Sequence, residues 1–132
     1  MILLDTHMWL WWVQDVDRLT NKHEEIIQEH EGEGLGVSIF SCWEIAKLVE
    51  LQRITLPLPI AEWLALALTY PNIKLLPITP EIVVDSTQLP GEFHRDPADQ
   101  IIVATARVHK IPLLTVDGKI LKYPHVQLAD KS

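Results

Sequence analysis

Short apolar runs alternate with longer segments of helical spacing from one end of the chain to the other. The runs are typical of buried strands, whereas the longer segments carry caps and apolar residues three or four positions apart. This alternation constrains the fold strongly, because a regular strand–helix succession predicts a mostly parallel sheet with helices on both faces. The predicted fold class is therefore α/β.

Flanking turn residues and caps set the limits of the predicted elements. Thr20 can cap a helix that Gly32 and Gly34 end, and the Thr79-Pro80 and Asp96-Pro97 pairs are further helix starts. Strands are expected over residues 1–4, 35–40, about 73–75, 113–116 and 126–128, the last at an edge. Helices are expected over residues 7–14, 20–31, from 41 onward, 60–70, 79–88 and 97–109.

The composition is that of one globular domain, predicted to span residues 1–132. Hydrophobic residues make up 48% of the 132, which is enough for a substantial core. The single cysteine, Cys42, excludes an internal disulfide framework and a multi-cysteine zinc site. No signal peptide or membrane-spanning segment is visible, so we expect a cytoplasmic protein.

The formal net charge of −7 argues against ordinary nucleic-acid binding, because nucleic-acid-binding proteins normally present a basic face. Bound divalent cations would offset part of that charge. The glutamates between residues 24 and 33 are most simply a solvated helix face.

Four acidic residues occupy comparable places in the pattern. Each comes where an apolar strand gives way to a loop, or in the first turn of the following helix; they are Asp5, Glu44, Asp99 and Asp117. In an open parallel sheet these places meet in the crevice at the carboxyl ends of the strands. Carboxylates crowded there repel one another and resist ionisation unless a cation is bound. The pattern indicates a divalent-metal site for phosphate chemistry.

Each acid also has a structural explanation. Ser41 to Glu44 matches a capping box, and residues 96–99 (DPAD) match a helix start with Asp99 in its first turn. Asp5 could cap the first helix, and Asp117-Gly118 could be a plain turn. Taken singly, the structural explanation is the simpler one for each acid. The combination favours the metal site, and an all-oxygen ligand set suits Mg²⁺ or Mn²⁺.

Other metal and phosphate sites find less support. The six histidines show no close metal-binding spacing, so zinc is not expected. A P-loop and a GxGxxG fingerprint are absent. A phospho-receiver domain needs an aspartate near the middle of the chain, and residues 50–76 contain none.

Several segments carry a resemblance to a known family. They are LLDTHMWLWW at 3–12, VSIFSCWEIAKLVELQRITLP at 37–57, LPGEFHRDPADQIIVATA at 89–106 and IPLLTVDGKILKY at 111–123. With these segments the chain resembles the PIN-domain ribonucleases, and among them the VapC-type toxins of bacterial toxin–antitoxin pairs. The segments follow in order over nearly the whole chain, and HRDPADQIIVATA is the most specific of them.

The resemblance implies a three-layer α/β/α fold and a Mg²⁺- or Mn²⁺-dependent endoribonuclease, usually a homodimer, that is bound by a cognate antitoxin. It places the family's catalytic and metal-binding acids at Asp5, Glu44, Asp99 and Asp117. We expect Asp5 and Asp99 to be the central ligands. The reaction would be hydrolysis of an RNA phosphodiester bond by a metal-activated water.

Further residues near the acids are candidates for supporting roles. The hydroxyls of Thr6, Ser41 and Thr115 could orient the ligands. Asp96 is expected to be a helix cap and could be an outer ligand. Lys47 could contact substrate phosphate, as could Arg95 and His94 beside the start of the acidic helix, although solvated surface charges explain all three equally well.

The tryptophans are expected to serve packing more than catalysis. Trp9, Trp11 and Trp12 follow Asp5 closely, so one of them could stack on an unpaired base. A division between the core and a subunit interface is the favoured interpretation. Trp43 and Trp63 are expected to pack inside.

Two alternatives to the ribonuclease remain open. One is a catalytically silent binding module that keeps the fold for partner recognition. The other is a metal-dependent phosphatase or DNA nuclease that uses the same acids.

Overall fold

A four-stranded parallel sheet forms the centre of the computed structural model, which describes residues 1–130. The strands are β1 (Ile2–Leu4), β2 (Leu35–Ser38), β3 (Ile73–Leu76) and β4 (Leu113–Leu114), in the order β3-β2-β1-β4. All three pairings between them are parallel. The last two residues of the predicted domain, 131 and 132, lie outside the described range.

Seven α-helices are present in the described residues. They are α1 (Thr6–Gln14), α2 (Asn21–His30), α3 (Ile39–Glu50), α4 (Ile60–Ala67), α5 (Pro80–Thr87), α6 (Pro97–His109) and α7 (Gly118–Leu121). Two 3₁₀ turns follow α1 and α2, over Val16–Arg18 and Glu31–Glu33. No helix in residues 1–130 is both long and apolar enough to cross a membrane.

The helices cover both faces of the sheet because successive strand residues point to opposite sides. Ile2 and Leu4 of β1 belong to one apolar cluster, which includes residues of α1 to α4. Leu3, between them, belongs to a second cluster with Ile102 and Val103 of α6. The predicted three-layer α/β/α architecture is confirmed.

Three helix starts lie where their caps predict them. The Thr20 hydroxyl accepts a hydrogen bond from the His23 amide, 3.1 Å away, at the start of α2. Thr79 caps α5 with Pro80 in its first turn, and Asp96 caps α6 with Pro97 in the same place. Side-chain oxygens of threonine and aspartate satisfy the first free amides of a helix, and two of these caps are followed by proline. Such residues identify helix starts directly.

The start of α3 differs from the prediction. β2 ends at Ser38, and the Ser38 hydroxyl accepts from the Phe40 amide at 3.0 Å, so the helix begins at Ile39 instead of residue 41. The apolar pair Ile39 and Phe40 looks like a continuing strand, but the serine before it supplies a cap. The predicted capping box from Ser41 to Glu44 is therefore wrong, and Glu44 lies in the second turn of α3.

Predicted boundaries also differ in the last quarter of the chain. Instead of a strand over residues 126–128 there is one isolated bridge, Leu113 with Leu128, beside a two-residue β4. The pair Asp117-Gly118 starts α7 and is not a plain turn. Nearer the middle of the chain, α4 ends at Ala67 and not at residue 70 as predicted.

The tryptophans divide between interior and surface. Trp9 and Trp63 are buried with their ring centroids 5.8 Å apart, while Trp11 and Trp12 are half-buried. Trp43, expected to pack inside, is 56% exposed. Residues two apart in an α-helix point to nearly opposite sides, so Trp43 faces away from the buried Ile45 of the same helix.

The observed start of α3 predicts the effect of removing its cap. Ser38→Ala should lower the free energy of unfolding by about 1 kcal/mol, because the Phe40 amide loses its acceptor. Urea denaturation measures the change. Thr20→Ala, which removes the equivalent cap of α2, is the positive control. A stable Ser38→Ala variant beside a destabilised Thr20→Ala variant would contradict the assigned start of α3.

Candidate metal centre

Asp5 joins two neighbouring strands at the carboxyl edge of the sheet. It follows β1, caps α1 and is only 8% exposed. Its Oδ1 accepts from the Met8 amide at 2.9 Å, and its Oδ2 accepts from the Thr115 hydroxyl just past β4. The same hydroxyl accepts from the Asp117 amide at 3.0 Å. Thr115 therefore connects Asp5 to Asp117.

Glu44 reaches the same edge from α3. Its Oε1 accepts from the Thr6 hydroxyl at 2.5 Å, and the Thr6 and Ser41 hydroxyls lie 2.8 Å apart. Thr6 and Ser41 are both buried. The predicted hydroxyls Thr6, Ser41 and Thr115 therefore all lie where they can hold carboxylates in place.

Asp99 and Asp117 form a tight group with a histidine. One ligand atom from each of His94, Asp99 and Asp117 lies within 4.8 Å of the others. Asp99 is in the first turn of α6, and Asp117 caps α7 by accepting from the amides of Lys119 and Ile120. The fold thus brings residues from two helix starts and a loop to one point.

The pKa values of three of these carboxyl groups are raised, which indicates that the acids are crowded together. Burial, and then the charges of Asp117, Asp96, Glu44 and Asp5, raise the pKa of Asp99 to about 7. Burial also raises the pKa of Asp5 and the pKa of Glu44, although the Thr115 and Thr6 hydroxyls act in the opposite direction. Asp5, Glu44 and Asp99 therefore share an electrostatic environment that disfavours their ionised forms.

These residues fit a divalent cation. A cation would reverse the repulsion that raises the pKa of Asp99, and carboxylate oxygens are the ligands that Mg²⁺ and Mn²⁺ prefer. The buried Nε2 of His94 also lacks a hydrogen-bond partner among residues 1–130 and lies beside the Asp99 carboxylate. A group of acids with an unpaired polar atom at its edge matches a site that binds an ion.

His94 was expected beside the start of α6, as a possible contact to substrate phosphate, and not as a member of the metal group. The sequence shows no histidine spacing that suggests a ligand set, since Asp99 and Asp117 approach His94 only in the folded chain. One signal was present: His94 lies two residues before Asp96, the cap of α6.

The remaining candidates lie around the group. The Lys47 Nζ lies 2.5 Å from Glu50 Oε1 and 5.8 Å from the Trp43 ring centroid. Its charge is therefore paired with residues of α3 outside the acidic group. Arg95 is exposed. Asp96 is an exposed cap whose Oδ1 accepts from the Ala98 amide at 3.0 Å, while its charge contributes to the raised pKa of Asp99. Their roles toward metal or substrate stay predictions.

Comparison with known proteins agrees with this geometry. The sequence profile of the PIN domain matches residues 2–126. The chain belongs to the PIN-domain family. Ribonuclease VapC22 of Mycobacterium tuberculosis is 36% identical over 124 residues, which cover 94% of this chain and 92% of that protein. The resemblance to PIN-domain ribonucleases of the VapC type is thereby confirmed. Ribonucleases with a PIN domain generally depend on a divalent metal, which agrees with the acidic cluster.

Solved structures share the same PIN fold at lower identity. A toxin–antitoxin complex from Klebsiella pneumoniae has a TM-score of 0.66 at 18% identity, and 100% of each chain is covered. VapBC2 from Rickettsia felis, bound to a DNA fragment from its promoter, has a TM-score of 0.70 at 14% identity, with 97% of each chain covered.

The raised pKa of Asp99 predicts how pH affects the metal-free protein. Between the ordinary pKa of 3.8 and about 7, the folded chain holds a proton that the unfolded chain has lost. This contribution to stability therefore decreases as pH rises and is fully lost above pH ~7. Asp99→Asn should raise the free energy of unfolding at pH ~8 by about 1 to 3 kcal/mol, with little effect near pH ~4.

Chemical denaturation in chelator across this pH range measures the difference. Asp17→Asn, an exposed acid outside the site, is the control for loss of one negative charge. An Asp99→Asn variant that is equally stable relative to wild type at both ends of the range would contradict the crowding of acids.

Proposed function

We propose that this PIN-domain chain is a Mg²⁺- or Mn²⁺-dependent endoribonuclease and the toxin of a toxin–antitoxin pair. The observation that carries the proposal is the convergence of four family-pattern acids at one edge of the sheet, where the charges of the other three all contribute to the raised pKa of Asp99. The similarity to Ribonuclease VapC22 over 94% of the chain supports RNA as the substrate.

Asp5 and Asp99 are the central ligands in this proposal, and Glu44 and Asp117 complete the site. A divalent cation bound there supplies Lewis-acid stabilisation of the phosphate and an activated water for its hydrolysis. The chain itself keeps the ligands in place. Hydrogen bonds from Thr115 to Asp5 and from Thr6 to Glu44 fix one oxygen of each carboxylate, so little reorganisation is needed on binding.

A cognate antitoxin is the proposed protein partner, as in the toxin–antitoxin complexes that share the fold. His7, two residues after Asp5 in the chain, is among the residues that line a cavity of about 410 Å³. Trp11, Arg18 and Leu56 also line it, and the Arg18 guanidinium lies 5.7 Å from the Trp11 ring centroid. A groove with apolar and charged walls suits a segment of the antitoxin. Action on cellular RNA places the proposed activity in the cytoplasm.

A homodimer through the start of α3 is part of the proposal. Ile39 is 44% and Trp43 56% exposed, and the Trp43 ring packs on Phe40 with centroids 5.4 Å apart. Exposed aromatic residues of this size are enriched in subunit interfaces. The three side chains therefore present an apolar surface that a second copy could cover.

Substitution at this surface should weaken the dimer. Light scattering of the wild type should give twice the chain mass, and Trp43→Glu should raise the dimer dissociation constant by at least about 10-fold. Leu66→Glu, at an equally exposed apolar residue of α4, is the matched control and should leave the mass unchanged. A monomeric wild type, or equal effects of both variants, would contradict the assigned interface.

Loss of the Asp5 charge should abolish RNA cleavage. Asp5→Asn should lower the cleavage rate at least ~100-fold, because an amide is a poor ligand for a hard cation. Asparagine caps helices as well as aspartate does, so the fold should persist. The assay incubates the purified chain with total RNA and Mg²⁺ or Mn²⁺, with a chelator as a further control, and sequences new 5′ ends.

The control variant is Asp15→Asn, which removes the same charge from an exposed residue paired with Arg18. It should cleave RNA as fast as the wild type does. Full activity in Asp5→Asn would contradict the proposal. A wild type that neither binds metal nor cleaves would favour the silent binding module, and metal-dependent cleavage of DNA or a phosphate monoester alone would favour the other alternative.

A further inference from the structure

His94 is held firmly at the edge of the acidic group. Its ring centroid lies 4.4 Å from that of Phe93, which packs on the buried Tyr123 at 4.7 Å. The Tyr123 hydroxyl donates to the Pro90 carbonyl at 2.5 Å, and the Gln100 side-chain amide donates to the His94 carbonyl at 3.3 Å. The loop before α6 is therefore anchored at both ends, and the position of the imidazole is set by packing.

One hydrogen bond indicates which ring nitrogen carries the proton. The backbone N–H of Asp96 donates to His94 Nδ1 at 3.3 Å, so Nδ1 acts as the acceptor. In a neutral imidazole the other nitrogen is then protonated. Nε2–H is consequently the donor of His94, and it lies 3.1 Å from Oδ2 of Asp99.

The Nε2 donor has no completed hydrogen bond. The two atoms are close enough, but the N–H direction misses the oxygen, and Nε2 has no other partner among the described residues. A buried donor without a partner is unfavourable, so whatever orients Asp99 toward Nε2 gains this interaction.

We propose that His94 is a positioning residue of the metal centre, which donates Nε2–H to Oδ2 of Asp99 and so orients this carboxylate for the cation. The inference deepens the proposed function and rests on it. Direct ligation by Nε2 is the competing arrangement. Ligation would require the imidazole proton on Nδ1, where it would face the N–H of Asp96, and two donors would then oppose each other.

The expected consequence is a change in metal affinity. Partners that hydrogen-bond a ligand typically change metal affinity or activity by about 10- to 100-fold when they are removed. His94→Ala should weaken Mn²⁺ binding by about that factor. His94→Gln should restore most of the affinity, because its side-chain amide can donate from a place near that of Nε2. His125→Ala is the matched control, since the His125 ring also packs on this aromatic group, with its centroid 5.5 Å from that of Tyr123, but is not part of the acidic group.

The first experiment needs neither metal nor activity. Long-range ¹H–¹⁵N correlation spectra of the metal-free chain, compared with those of His94→Gln, identify the tautomer of His94. Protonation at Nε2 with an unprotonated Nδ1 supports the proposal. Protonation at Nδ1 would overturn it.

The second experiment measures Mn²⁺ binding by calorimetry and by electron paramagnetic resonance in the full chain and its variants. Weaker binding in His94→Ala, recovery in His94→Gln and normal binding in His125→Ala support the proposal. Unchanged affinity in His94→Ala overturns it. Coupling of bound Mn²⁺ to a ¹⁴N nucleus that disappears in His94→Gln also overturns it, in favour of direct ligation.

The same measurements separate this inference from the proposed function. If the wild type binds Mn²⁺ and cleaves RNA while His94→Ala binds Mn²⁺ equally well, only the role of His94 is wrong. If the wild type binds no Mn²⁺, the proposed metal centre fails and the role of His94 fails with it.

Discussion

Burial of the Asp5 carboxylate between two parallel strands is the constraint on which the rest of the site depends. Asp5 follows β1, and the hydroxyl that donates to it follows the adjacent β4. The register of these two strands therefore decides whether the carboxylate finds its donor. Because the amide of Asp117 donates to the same Thr115 hydroxyl, the position of a second acid depends on this one contact as well. A shift in register would separate the acids and remove the crowding that a cation relieves.

Local chemistry explains which parts of the fold could be predicted. The start of α6 could be predicted because a capping aspartate followed by a proline is a local signal for a helix start. The four acids could be found for a related reason. The carboxyl ends of parallel strands always meet at one edge, so their places in the pattern imply their proximity.

Features set by competition or by distant contacts could not be predicted in this way. Two serines, Ser38 and Ser41, both suit the start of α3, and only the length of β2 decides between them. That length depends on pairing with β1 and β3. The position of His94 depends on its neighbour Phe93, which packs on Tyr123, a contact across 30 residues that no local pattern predicts.

Helix-start positions and the proposed metal-binding roles coincide for three of the acids. Asp5 caps α1, Asp117 caps α7, and Asp99 lies in the first turn of α6. Amides at a helix start stabilise negative charge, so each helix start reduces the cost of holding a carboxylate beside the others. Considered one at a time, these acids are explained most simply as helix caps or turn residues. Because the same position stabilises the charged carboxylate that a cation binds, a capping role does not argue against metal binding. Glu44 is the exception.

Glu44 lies in the second turn of α3 and receives no help from free amides at a helix start. Its compensation comes from the buried Thr6 hydroxyl, which in turn contacts Ser41 on the same helix. Replacement of Thr6 by an apolar residue would leave this carboxylate with burial and repulsion but without its donor, and would raise its pKa further. The site thus holds carboxylates together in two ways, by helix starts for the aspartates and by a side-chain hydroxyl for the glutamate. Both supply fixed donors before a cation arrives, and neither supplies a full positive charge, which is the contribution left to the metal.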